Sequence, residues 1–180
     1  MNRSILILAL VLALTGVRAQ TLISKTVTTS FFSTTPIEDI EAISKTGASA
    51  LNTQTGDIVV KISNTTFDFK KKMMQEHFNE NYMESDKYPV SMFKGKIIGV
   101  VDYTKPGTYQ VAAKGNLSIH GVTKNYEVPV KIMVTNNGIN ATTSFWVRME
   151  DHKIKIPKIV IKNIAEAVEV KISALYQTKK

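Results

Sequence analysis

Apolar and polar positions alternate with a period of two along most of this chain, and one stretch breaks the rhythm. The cleanest run sets Tyr109, Val111, Ala113, Gly115, Leu117 and Ile119 against Gln110, Lys114, Asn116 and Ser118. That is the spacing of a strand with one buried face. The same period returns in Tyr126, Val128, Val130, Ile132 and Val134, and again in Ile139, Ala141, Thr143, Phe145, Val147 and Met149. Val168, Val170, Ile172 and Ala174 repeat it near the end. Residues 21–32, 57–63 and 90–103 supply three more strands, the last with Phe93, Gly95, Ile97, Gly99 and Val101 on one face. Glycines at such positions predict strong curvature or the close approach of another backbone. Residues 37–42 fit either a helical turn or a further strand.

Turn residues punctuate these runs. They are the cluster at residues 52–56, Lys105-Pro106-Gly107, His120-Gly121 and Asn136-Asn137-Gly138, all with the chemistry of tight reversals. The exception to the rhythm is residues 73–89. Met73, Met74, His77, Phe78, Asn81 and Tyr82 recur at spacings of three and four, while Gln75, Glu76, Asn79 and Glu80 take the opposite face. This predicts one amphipathic helix, ended before Pro89 because a residue preceding proline leaves the α region. A lone helix among strands must lay its apolar face on a sheet or across a barrel mouth. The pattern predicts an all-β fold: an antiparallel barrel of about eight strands with one inserted α-helix. Long one-sided strands favour the barrel over a sandwich.

The start of the chain follows different rules. Met1-Asn2-Arg3 precedes an unbroken apolar run over residues 5–14, and Val17-Arg18-Ala19 has small residues where a signal peptidase cuts. This predicts a leader over residues 1–19, too short to span a bilayer, and one domain over residues 20–180 in the periplasm or outside the cell. The formal charge of +8 drops by two when Arg3 and Arg18 leave. The remaining charge is scattered lysine without a stacking aromatic ladder, which argues against nucleic acid. It leaves room for weak contact with an anionic membrane surface and for a homodimer.

Composition removes much chemistry. There is no cysteine, hence no thiol catalysis, disulfide or cysteine metal site. The three histidines, His77, His120 and His152, have no metal-ligand spacing. Serine-nucleophile, phosphate-loop and dinucleotide motifs are absent. The expectation is a protein that works without a cofactor and is not an enzyme. Met73, Met74, Met83 and Met92 cluster in or beside the helix, and with Phe67, Phe69, Phe78, Tyr82, Phe93 and Trp146 they either line an apolar tunnel or fill an ordinary core.

Three segments resemble the YceI-like family of exported bacterial proteins. One runs from Met74-Gln75-Glu76-His77-Phe78-Asn79 to Lys87-Tyr88-Pro89 and on to Phe93-Lys94-Gly95. The second, Gly115-Asn116-Leu117-Ser118-Ile119-His120-Gly121-Val122-Thr123, matches the family's G-x-L-x-[IL]-x-G-V-T pattern. The third is Phe31-Phe32-Ser33 with Gly56 downstream, whereas residues 36–42 depart from the family's opening. The resemblance implies a lipocalin-like barrel around a long apolar tunnel that holds a polyisoprenoid or similar long-chain apolar lipid. On that reading Phe67, Phe69, Met73, Met74, Phe78, Tyr82, Phe93, Tyr109, Phe145 and Trp146 line the tunnel. His77 and His120 are weaker candidates for a polar headgroup. The alternatives are an interaction module with a filled barrel, and a cofactor-free lipid cyclase or isomerase.

Overall fold

A computed structural model of the chain describes residues 21–34, 39–155 and 166–177. The leader expected over residues 1–19 and the first two residues of the ambiguous segment 37–42 lie outside the described residues. The strands are β1 (Thr21–Ser33), β2 (Ile40–Asn52), β3 (Asp57–Ser63), β4 (Asp68–Phe69), β5 (Val90–Ile98), β6 (Gly107–Ile119), β7 (Val122–Thr135), β8 (Gly138–Arg148) and β9 (Ala167–Gln177). They run in the order β1-β9-β8-β7-β6-β5-β3-β2, and β1 pairs with β2 to close the ring. All the pairings are antiparallel. The two-residue β4 adds to β2 beyond the end of β3. Eight long strands thus form the expected barrel, and closure leaves no unpaired sheet edge along β1.

The segment left between helical turn and strand becomes β2 from Ile40 onward. Between Ile40 and Leu51 at its ends its inward positions are small or polar, namely Ala42, Ser44, Gly47 and Ser49, while Ile43 points outward. Polarity therefore runs against the strand's true faces. The small side chains are needed where β1 crosses closely, since a Cβ on Gly47 would stand 3.1 Å from the Val27 Cβ. The strand expected over residues 90–103 ends at Ile98, where Gly99 takes φ +131°.

Gly95 and Gly115 face each other across β5 and β6. A Cβ on Gly115 would collide with the Gly95 Cα and the Lys94 carbonyl oxygen. This is the close backbone approach that the strand glycines predicted. A Cβ on Gly95 would also stand 2.8 Å from the Phe93 Cζ, so the Phe93 ring folds over the glycine pair.

The lower half of the barrel holds the main apolar core. Leu51, Ile132, Ile139 and Tyr176 are fully buried there. Ser49 Oγ donates to the Val59 carbonyl at 2.8 Å and accepts from the Tyr176 hydroxyl at 2.6 Å. Burial pushes the Tyr176 phenol up to about 12, so it stays neutral at any physiological pH.

The helix is shorter than its pattern. α1 covers Lys72–His77, and a turn of π-helix follows over Phe78–Tyr82. The Met83 N–H donates to the Phe78 carbonyl at 2.8 Å. The extra residue in that turn advances the inward face, so Tyr82 and the buried Met83 follow Met74 and Phe78 into the barrel mouth. The chain beyond is irregular well before Pro89, tied by Ser85 Oγ to Asn79 Oδ1 at 2.7 Å.

Candidate ligand-binding site

The upper half of the barrel, under the helix, holds a cavity of about 300 Å³. That is the lower end of the range for small-molecule pockets. Its cover is a cluster of four phenylalanines. Phe78 of the π-turn stacks on Phe31 of β1 with centroids 5.4 Å apart, and meets Phe67 at 5.6 Å and Phe69 at 5.1 Å. Phe31 also contacts Phe67 at 5.3 Å and Phe69 at 5.8 Å. Each such ring pair contributes about 0.5–1.5 kcal/mol beyond its buried area.

Among the described residues no lysine, arginine, aspartate or glutamate lines this cavity. His77 and Tyr82 are its ionisable side chains, and burial raises the Tyr82 phenol further. No group of residues with metal-binding composition occurs among the described residues. Asn64 lines the wall too, yet both ends of its amide are engaged: Nδ2 donates to the Tyr88 carbonyl at 2.6 Å and Oδ1 accepts from Ser91 at 2.8 Å. It anchors the chain leaving the helix to the barrel wall. Such a lining desolvates an apolar molecule and sets no lysine, arginine or carboxylate against it.

The structure brings Phe67, Phe69, Met74, Phe78, Tyr82, Phe93 and Phe145 to the cavity, with His77 at its rim. It does not bring the other four candidates. Met73 is 63% exposed because the helix turns its neighbour Met74 inward instead. Trp146 is 63% exposed, since Phe145 and Val147 flank it and take the inward positions of a period-two strand. Tyr109 packs in the lower half, its hydroxyl donating to the Lys105 carbonyl at 3.1 Å. His120 sits in the β6–β7 turn with φ +50° and faces away from the cavity. Sequence reading missed Phe31 and Ile172, although both occupy inward positions of a period-two run.

His120 has a structural role. Its Nε2 lies 2.6 Å from Glu84 Oε2, and its Nδ1 lies 3.1 Å from the His152 carbonyl. The pair joins the segment after the helix to the β6–β7 turn. His152 is fully buried. Its Nδ1 donates to the Val122 carbonyl at 3.1 Å and its Nε2 accepts from the Tyr126 hydroxyl at 3.2 Å, a neutral ring. Burial holds its pKa below the ordinary 6.5. A histidine depressed in the fold binds fewer protons than in the unfolded chain, so its stabilisation is complete above about pH 6.5 and is lost as pH falls below it. The melting temperature should therefore drop from pH 7 to pH 5, and His152→Gln should flatten that drop. Equal slopes in the two proteins would remove His152 as its source.

The sequence matches the family model described as the YceI-like domain over residues 15–175. No curated protein matches it. Solved structures share the barrel. A polyisoprenoid binding domain from Saccharophagus degradans, implicated in plant cell wall breakdown, superposes with a TM-score of 0.74 at 12% identity, covering 90% of this chain and 100% of its own. BcnA from Burkholderia cenocepacia gives 0.72 at 15% identity, over 83% of this chain and 95% of its own. The YCEI protein of Campylobacter jejuni gives 0.59 at 14% identity, over 82% and 85%. At these identities the likeness is one of fold.

Proposed function

Because the chain belongs to the YceI-like family, we propose that it is an exported lipid-binding protein that shelters an apolar ligand, with a polyisoprenoid chain as the first candidate, under its helix. The observation that carries this reading is a cavity in a closed barrel with no charged side chain in its described lining. The ligand assigned to the Saccharophagus degradans domain supports the choice of isoprenoid. Binding rather than catalysis fits a site without a paired carboxylate. The apolar run and cleavage pattern of residues 1–19 support export.

The mechanism is sequestration from water. Burial contributes about 0.8 kcal/mol per methylene. A whole forty-carbon chain would gain on the order of 30 kcal/mol, beyond any known non-covalent affinity. A cavity of about 300 Å³ takes roughly ten to twelve carbons at about 25–30 Å³ per heavy atom, benzene in a 150 Å³ cavity setting the lower figure. The gain is then on the order of 8 kcal/mol, near a micromolar dissociation constant before ordering costs. Such a carrier can release what it holds.

The test is to purify the protein from its native host, extract it with organic solvent and weigh both extract and polypeptide. A stoichiometric lipid, with a mass starting near Gln20, supports the reading. A protein that arrives empty and also fails to take up farnesol or a fatty acid overturns it.

A further inference from the structure

The cavity has a floor, and from it we infer that this site measures its ligand, admitting two to three isoprene units of an apolar chain and no more. The inference rests on the reading of the cavity as a lipid site. Its evidence is the level at which the lining stops. On β1, Thr29 lines the cavity and the next inward residue, Val27, does not; it is fully buried in the core below. On β3 the boundary falls between Val60 and Ile58, and on β9 between Ile172 and Ala174. β1 and β9 are paired neighbours and β3 stands two strands away; across the ring on β6 the lining likewise stops at Leu117, while the buried Ala113 lies outside it.

Two features fix that level. The first is the Phe93 ring, which lines the cavity and lies over the glycine pair where β5 and β6 pinch together. The second is the core of the lower half, where Tyr176 is locked to Ser49 and wholly enclosed. A chain end reaching the floor would have to displace interior packed at crystal-like density. The long tunnel implied by the resemblance is thus shortened to the upper half of the barrel. About ten to twelve carbons fit, the third unit only in part, and further units of a longer chain lie outside the cavity, where they add little to affinity.

The experiment measures binding of isoprenols of two, three, four and eight units to the full chain, by displacement of anilinonaphthalene sulfonate. Affinity should rise up to three units and then change by less than about threefold out to eight. Phe93→Ala should shift the plateau by about one unit, because it removes the ring that covers the floor. Ile172→Ala is the second variant, a smaller deletion at the same level, and should shift it in the same direction by less. Affinity that climbs steadily to eight units overturns the measuring floor and leaves lipid binding intact. So does a plateau that neither variant moves. If no isoprenol of any length binds, the floor fails as a measure of isoprene units; if the protein also arrives empty and takes up no fatty acid, the lipid reading fails with it.

Discussion

Gly115→Ala is expected to cost the barrel about 3 kcal/mol or more, which is a fall of roughly 6–12 °C in melting temperature for a domain of this size. The added methyl would meet the Gly95 Cα and the Lys94 carbonyl, both backbone. Backbone held by a ladder on each side cannot swing away as the end of a flexible side chain can. β5 and β6 would have to move apart along seven paired positions. Gly107→Ala is the control. There the nearest atoms belong to Tyr109 at 3.6 Å, an ordinary contact, and the change should stay within about 0.5 kcal/mol. Thermal unfolding followed by circular dichroism separates the two. Equal melting temperatures for both variants would mean that the glycine pair is not a pinch point.

Phe78→Ala should produce the larger functional effect. Phe78 sits at the centre of the cover, in contact with Phe31, Phe67 and Phe69, and is itself part of the cavity wall. Truncating a fully buried phenylalanine costs about 3–5 kcal/mol. Phe78 is only half-buried, so its loss should cost about 1–2 kcal/mol of stability. Farnesol binding should fall by at least tenfold, because the ligand loses a wall and gains water at the mouth. Displacement titrations beside melting curves distinguish the readings. A variant that melts much lower yet binds farnesol unchanged would assign Phe78 to plain core.

Where the sequence was informative, its faces were chemically unequal. Strands β6 to β9 present Val, Ile and Leu inward and Lys, Glu, Asn or Thr outward along much of their length, and their register follows from that contrast. β2 escaped because its buried face over residues 42–49 is Ala, Ser and Gly and its exposed face includes Ile43. A strand whose inner side is selected for smallness carries no hydropathy signal. The helix was legible as an element and not in its length, since the π-turn after His77 changes which residues face inward without changing the local composition. The same limit applies to the site. Aromatic residues on inward strand positions could be placed by parity, which would have kept Trp146 out and brought Phe31 in. The floor could not be read at all. It depends on how the Phe93 ring folds over Gly95 and on a hydrogen bond between Ser49 and Tyr176, 127 residues apart.

The closure of the ring has a consequence for kinetics. β1 pairs on one side with β2, its nearest neighbour in sequence, and on the other with β9, so that Thr28 meets Ser173. A polypeptide emerging from its N-terminus can zip one strand after another as each arrives. It cannot shut until the final strand is free to dock on the first. Contacts of such long sequence separation make folding slow. The cavity has no complete wall until that last step, so a nascent or truncated chain has nowhere to shelter a lipid.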